Sequence, residues 1–501
     1  MKPQAMTLFA QRMKCPALLA LFLSFALTSA RAQFTPTESV VGDPSSGCLG
    51  LEFSPDMKWF VWTQQGAVKA AWLCGVNPDT GDLVPANGKP LGQNGQPFSI
   101  PNIPPRGNPQ WGRDSAGWFI IAIADDGRLV QVRPGTLGTD GNWLVDPVVT
   151  YPAVPVNATR QYPFAARLPE RSASYVIYEQ LAYGTGAAGI YWVDLGDPTF
   201  SERVVSAPAG YTMPPTLENI AATIYRWFPG LPIFTYAAVK QPGGAVKMCQ
   251  LDVSAPSPVP IAINPATDNV SFHTDDFPSV NFGRRTLIGG VTSTASARYY
   301  LQDPNTKLTS TLANITVTSA MSALSNPQFA SSFEPFEWNG RVYAAFQIID
   351  GGDPLQAVPS EIWLTSLSDA LLQTDTSLLR RISTAASLQR RDPEYFLGYT
   401  KAWIFYYAKP SGTLFTIYRA ETGLPARQTA ATLGLTLQGF QSSATQLQMT
   451  GAPTQFGVLQ SSEDLATWTD RLTTLFGTNA VPFSDTNAST FPRRFYRLRT
   501  P

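Results

Sequence analysis

The only histidine of the chain, His273, stands in the stretch FHTDDFPSV, close before Asp275 and Asp276. An imidazole beside two carboxylates could hold a metal ion or work as an acid–base pair, and loops are where scaffolds carry such groups. A single histidine next to acids is also an ordinary surface feature, and one histidine rules out a histidine-rich metal centre. A second set of groups is Asp56, Asp114, Asp276, Glu334 and Asp392, which recur near similar points of a repeated pattern. Glycoside cleavage needs two carboxylates roughly 5 to 9 Å apart, so acids repeated around a channel mouth could perform it. The same acids can instead bond the backbone of their own turns, and that is the expectation here.

Other chemistry-like patterns have structural explanations. Gly184 to Gly189, GTGAAG, matches the spacing of a dinucleotide-binding loop, but IYWVDL follows it and reads as a strand, so no helix N-terminus is available for a pyrophosphate. Asn77 to Asp82, NPDTGD, has oxygen ligands, yet Gly88 stands where a calcium loop would close on an acid, and a hairpin turn is expected. No nucleophile elbow, HExxH or SxxK motif occurs, and no cofactor or metal is expected.

Of the four cysteines, Cys15 lies in the N-terminal segment and Cys48, Cys74 and Cys249 lie beyond it. Cys48 and Cys74 flank neighbouring strands and form the candidate disulfide, with three small buried hydrophobes as the alternative.

Charged residues are only 14% of the 501, with 43 Pro and 38 Gly, a composition that favours turns and strands over helices. Lys and Arg total 36, as do Asp and Glu, so no basic field exists for nucleic acid. Lys2, Arg12 and Lys14 precede an apolar run, Ala17 to Leu27, that ends in Ala30-Arg31-Ala32. This is the pattern of a secretory signal peptide over residues 1–32, too short in its apolar core to span a bilayer. Cleavage there leaves 32 basic against 36 acidic residues, a formal charge of −4.

The elements that must position these groups repeat. FSPDMKWFVWT from Phe53 has counterparts in PQWGRDSAGWFIIA from Pro109, PFAARLPERSASYVIYEQ from Pro163, YRWFPGLPIFTYAAVK from Tyr225 and FPSVNFGRRTLIGGV from Phe277. FEPFEWNGRVYAAFQI from Phe333 and DPEYFLGYTKAWIFYYA from Asp392 complete the series. Each copy alternates apolar and polar residues around Pro, Asn, Asp or Gly turns, and Asn339-Gly340 is the strongest hairpin signal. Such sheets cannot bury both faces alone, and packing them radially around a channel solves the problem.

FSPDMKWFVW and PQWGRDSAGWFIIA resemble the strand-turn-strand signature of TolB-type and WD-type β-propeller repeats. The resemblance spans about Gly47 to Gly423 and implies an all-β propeller of seven blades, or six if the fifth or seventh copy is irregular. It implies no particular activity, since propellers host enzymes and binding scaffolds alike. The family usually places glycine where this chain has Met57 and Ser115. Residues 33–425 are expected to form the propeller and 426–434 a linker. Residues 435–501, with QSSEDLATW and FPRRFYRL, resemble a short C-terminal β-sandwich found on secreted bacterial proteins, a surface or sorting module. Trp468 and Tyr496 are expected in its core.

The expected function is that of an exported, monomeric, non-enzymatic scaffold that binds a protein or glycan partner at the cell envelope, on the periplasmic, surface or extracellular side. The alternative is a carbohydrate-active enzyme, a glycoside hydrolase or lyase, that uses paired channel carboxylates.

Overall fold

The computed structural model describes residues 34–43, 47–66, 69–104, 107–157, 159–167, 171–180, 188–213, 220–222, 234–240, 246–251, 253, 261–262, 279–282, 285–302, 309–351, 358–368, 373–410, 414–427, 433–441, 444–451, 456–476 and 480–499. The chain divides into two units, Met1–Pro36 and Thr37–Pro501. The expected signal segment lies outside the described residues, as do most of GTGAAG and all of His273, Asp275 and Asp276. Among the described residues no helix is long and apolar enough to cross a membrane.

From Cys48 to Glu421 the described strands form seven successive antiparallel sheets of four or five strands, most of them simple meanders, and one small two-stranded sheet, Thr136–Leu137 with Trp143–Val145. The first contains Cys48–Phe53, Trp59–Gln64, Ala70–Val76 and Leu83–Val84, and the second Gln110–Asp114, Gly117–Ile123, Leu129–Arg133 and Val148–Thr150. The third runs from Arg160–Ala166 through Tyr175–Gln180 and Gly189–Asp194 to Arg203–Val204. The fourth contains Tyr211–Thr212, Ile220–Ala222, Phe234–Lys240, Val246–Leu251 and Ile261–Ala262, the fifth Ser279–Phe282, Arg285–Ser293, Ser296–Gln302 and Thr309–Thr316, and the sixth Pro327–Trp338, Arg341–Asp350, Ser360–Ser368 and Leu379–Arg381. The seventh has three strands of its own, Gln389–Leu397, Ala402–Lys409 and Thr416–Glu421. Its fourth is the N-terminal strand Glu38–Val40, paired antiparallel with Thr416–Glu421.

Strand alternation dictates how these sheets pack. In WFVWTQ, Phe60 and Trp62 join Phe396, Trp403, Phe405 and Ile417 of the seventh sheet in one core. Val61, between them, joins Trp111, Ile120 and Val130 of the second. The second and third sheets share Phe119, Ile121, Val176 and Tyr178, and the fifth and sixth share Leu287, Tyr299, Phe333 and Phe346. The first, second and third sheets therefore bury both faces against their neighbours, and the seventh buries one against the first. First strands of adjacent sheets touch from the sixth through the seventh, first, second and third to the fourth. The molecule is all-β, and this topology is that of a β-propeller.

The hairpin turns explain the sequence signature. Ser54 Oγ donates to Asp56 Oδ1 at 2.6 Å and accepts from Trp59 N at 3.0 Å, which leaves Met57 at φ 58°. Met57 does occupy the left-handed conformation usually given to glycine, and its side chain packs on the core shared by the first and seventh sheets. In the second sheet Asp114 pairs directly with Gly117, so the turn is shorter and Gly117 takes the positive φ in place of Ser115. Asn339 and Gly340, at φ 50° and 79°, make the expected tight turn of the sixth sheet. Met57→Ala keeps the backbone cost and loses the packing, whereas Met57→Gly loses the packing and relieves the backbone. Urea unfolding is expected to find Met57→Gly more stable than Met57→Ala by about 1 kcal/mol, and equal midpoints would contradict this account of the turn.

After Arg427 the chain enters two three-stranded sheets. One is Gly434–Gln441, Ala444–Thr450 and Val481–Asp485, and the other Thr469–Leu475, Phe456–Ser462 and Phe495–Arg499. Leu447 and Met449 of the first meet Leu459 and Phe476 in one small core, with Tyr496 packed against it. Trp468 is not part of that core. It lies half-buried under the Arg497 guanidinium, 4.1 Å from the ring centre, with its indole N–H on Leu465 O. The motif around it is a turn, in which Ser462 Oγ donates to Asp464, Asp464 accepts from Ala466 N and Thr467 N, and Leu465 takes φ 63°. Ser54-Pro55-Asp56-Met57 uses the same device.

Candidate functional site

The first strands of the sixth, seventh, first, second and third sheets adjoin one another, which puts them on the inner side, and a recurring irregularity decides which side chains they present there. Gly50, Asn108, Tyr162 and Asp392 all have positive φ, at 56°, 37°, 49° and 57°. In the first, third and seventh sheets the ladder slips next to this residue, between Leu49 and Glu52, Gln161 and Phe164, and Arg391 and Glu394. A bulge of this kind re-aims the side chains that follow. At Gly50 the close approach is real, since a Cβ there would lie 3.2 Å from Asn108 Oδ1.

Two residues after each left-handed position stand Glu52, Gln110, Phe164 and Glu394, opposite Val61, Ile121, Ile177 and Phe405. Each of those partners faces the next sheet round the ring. Glu334 of the sixth sheet is the equivalent by register, since it lies opposite Ala345, whose neighbours Ala344 and Phe346 face the preceding sheet. Glu52, Gln110, Glu334 and Glu394 are thus one position of the repeat. Gln110 Nε2 donates to Glu52 Oε1, which joins the first and second sheets, and Gln110 and Glu394 are both buried.

These carboxylates act on a common neighbour. Burial, and then the negative charges of Glu334, Glu394 and Glu52 in that order, push the Tyr395 phenol upward, so it stays a neutral hydroxyl. The Tyr395 ring stacks on Phe336 with 5.6 Å between centroids. Acids from the sixth, seventh and first sheets thus lie near enough for their charges to act on one phenol.

The residues singled out from sequence are placed differently. Asp56 is bonded into its turn. Asp114 accepts from Ala116 N at 2.9 Å and forms an ion pair with Arg133. Asp392 lies at the bulge, where its charge adds to the burial that raises the Cys48 thiol. Only Glu334 of the described repeated acids belongs to the inner cluster. NPDTGD is a hairpin turn, with Asn77 Oδ1 accepting from Asp79 N at 2.8 Å, and Gly189–Asp194 after GTGAAG is a strand, as expected.

The expected Cys48–Cys74 bridge is not formed, and the three described cysteines are buried thiols outside any disulfide. Cys48 pairs beside Gln64 and Cys74 beside Phe60, so they lie two strands apart at opposite ends of the sheet. That is a separation of about 16 Å, whereas a disulfide needs Cα atoms within about 7 Å. Burial raises the Cys74 thiol above its ordinary range and pushes that of Cys249 up to about 12.

The inner cluster had a sequence signal. LEF, FEPF and PEYF all place a glutamate next to an aromatic residue in the first strand of a copy.

No protein-family model matches the chain, and no curated protein matches it. Among solved structures it is similar to the β-propeller domain of Cps50 (Swd1) from Myceliophteria thermophila, at 10% identity and TM-score 0.40, over 77% of this chain and 100% of that one. An oligogalacturonate lyase from Vibrio parahaemolyticus matches at 9% identity and TM-score 0.39, over 78% and 94% of the two chains. A periplasmic gluconolactonase from Pseudomonas aeruginosa matches at 12% and 0.35, over 67% and 85%. Likenesses this distant leave activity undecided, and the propeller topology rests on sheet order and register.

Proposed function

We propose that this protein is an exported, monomeric, non-enzymatic β-propeller of seven blades, of the TolB or WD type, with a C-terminal β-sandwich that sorts or holds it at the cell envelope. Its loops and channel present a binding surface to a protein or glycan partner. The observation that carries this reading is the use made of the repeated acids, since Asp56 and Asp114 serve their own turns and an ion pair. The fourth strand that Glu38–Val40 adds to the last sheet supports the count of seven. The charged and then apolar N-terminal segment supports export.

The second reading is a glycoside hydrolase or lyase, and the convergence of Glu334, Glu394 and Glu52 on Tyr395 favours it. The two separate on incubation of the mature chain with a panel of polysaccharides and measurement of new reducing ends or unsaturated products. A scaffold releases nothing above the protein-free blank. Release that falls by about 10²- to 10⁴-fold in Glu394→Gln, the range for loss of an acid–base group, would replace the scaffold with the enzyme.

A further inference from the structure

Met57 sits at φ 58°, a backbone conformation that disfavours every residue with a Cβ. Its side chain shows what the turn gains in return. The sulfur accepts a hydrogen bond from Leu397 N at 3.5 Å, across the seam where the first sheet meets the seventh. An aromatic cluster drawn from both sheets lies in that seam. Phe53 packs on Phe60 of its own sheet at 4.7 Å and on Phe405 and Phe396 of the seventh at 4.8 and 5.1 Å between ring centres, and Met57 packs against this core. A thioether suits the place, because it is apolar enough to lie against aromatic rings and still has lone pairs that accept weakly.

Met57 is also within reach of solvent. It is half-buried, and its neighbours in the turn, Asp56 and Lys58, are exposed. Met449, by contrast, is fully enclosed, and Met321 is 42% exposed on the connection between the fifth and sixth sheets. Of these three, Met57 combines exposure with a bond between sheets.

We propose that Met57 is an oxidant-sensitive clasp on the closing seam of the ring, with hydrogen peroxide as the class of oxidant. The sulfur lone pair not engaged by Leu397 N–H attacks the peroxide, and an S–O bond forms as the O–O bond breaks. The hydroxide released takes the proton of the transferred oxygen and leaves as water, so the sulfur loses two electrons and the peroxide gains them. The sulfoxide cannot keep the clasp. With its oxygen turned toward Leu397 N it takes the hydrogen bond but pushes the sulfur off its seat, because N–H···O alone needs about 2.9 Å. With the oxygen turned outward, a positively polarised sulfur faces the N–H, and a polar group is left against aromatic rings. In both cases the first and seventh sheets part at the end where Glu52 and Glu394 precede their turns. Reduction of the sulfoxide restores the thioether, so the clasp is reversible. It acts in the same way whether the channel binds or catalyses.

Hydrogen peroxide treatment of the mature chain tests it, read by peptide mass spectrometry, urea unfolding and hydrogen–deuterium exchange. Met57 should gain one oxygen while Met449 does not. The oxidised protein should lose roughly tenfold in its folding equilibrium constant, the cost of a polar group buried without a good partner, and a peptide spanning Tyr395 to Trp403 should exchange faster. Treatment with a methionine sulfoxide reductase and dithiothreitol should reverse both changes. Met57→Leu keeps a side chain of similar size without the sulfur, so peroxide should move neither reading, whereas Met321→Leu should respond like the wild type. A Met57 left unoxidised by peroxide that converts Met321, an unchanged urea midpoint after Met57 oxidation, or an equal response in Met57→Leu would overturn the proposal.

Discussion

Glu38→Ala is expected to destabilise the propeller by about 3 to 5 kcal/mol, the usual result of removing one partner from a buried ion pair. Glu38 and Arg390 are 5% and 1% exposed in their side chains. Arg390 Nε and Nη2 donate to the two carboxylate oxygens at 2.8 and 2.9 Å, and Nη1 donates to Ser360 O at 2.5 Å and Ala386 O at 3.1 Å. Thr384 N donates to Glu38 at 2.8 Å, and the Thr384 and Tyr406 hydroxyls donate to the same carboxylate. One acid on a three-residue strand thus ties the N-terminus to the first two strands of the last sheet and to the loop before it. Alanine leaves Arg390 charged, buried and short of two acceptors. Ser39→Ala, on the exposed side of the same strand, should change stability by no more than about 0.5 kcal/mol. Urea midpoints of both variants measure the contrast, and similar midpoints would contradict it.

The same pair makes stability depend on pH. Burial alone would raise the Glu38 carboxyl, but the hydrogen bond and charge of Arg390, with Thr384 and Tyr406, outweigh it and hold the group below its ordinary value. A carboxylate depressed in the folded state contributes stability above the unfolded value, near 4.3, and loses it as pH falls through the folded value. Urea midpoints should therefore drop as pH is lowered from 5 toward 3, and the drop should be smaller in Glu38→Gln, which has no charge to lose.

Glu361→Ala should cost a similar amount, about 3 to 5 kcal/mol, and should loosen a different seam. Glu361 is 3% exposed in its side chain and pairs with Arg381 at 2.7 Å. Ser322 Oγ, Ala323 N and Trp363 Nε1 donate to it at 2.7, 3.0 and 2.9 Å. The carboxylate therefore holds the connection from the fifth to the sixth sheet against the third and fourth strands of the sixth. These bonds hold the group below its ordinary value although burial works against them, so it adds to the acid lability with the same sign. Limited proteolysis should begin between Thr318 and Asn326 in Glu361→Ala before any other cut, while in Glu38→Ala the first cuts should fall near the N-terminus. Identical cleavage patterns in the two variants would show that neither carboxylate pins its own seam.

What could be seen in the sequence was local. The hairpin at Asn339-Gly340, the Ser54-Asp56 turn and the strand after GTGAAG depend on residues within a few positions of one another, and local patterns report such bonds. The left-handed Met57 was visible as a conflict with its family resemblance, and its reason lies in packing on a sheet about 340 residues away. Glu38 gave no signal, because Arg390 is 352 positions distant and only closure of the ring brings them together. In sequence the acids align on the hairpin turns, at Asp56 and Asp392, whereas the register runs from the bulge at Gly50 or Asp392, which brings Glu52 and Glu394 to equivalent positions. Cys48 and Cys74 flank one hairpin in sequence but stand at opposite ends of it in register. Trp468, expected in the core, lies instead under the Arg497 guanidinium.

The inner carboxylates can form one surface only if the ring is closed by Glu38–Val40, so hydrogen–deuterium exchange at that strand tests the account most directly. A peptide spanning Thr37 to Val41 should be protected to the same degree as one spanning Thr416 to Glu421, and both should lose protection together in Glu38→Ala. Full exchange of the Thr37 to Val41 peptide at the earliest time point in the wild-type protein would contradict the closed ring and the binding surface built on it.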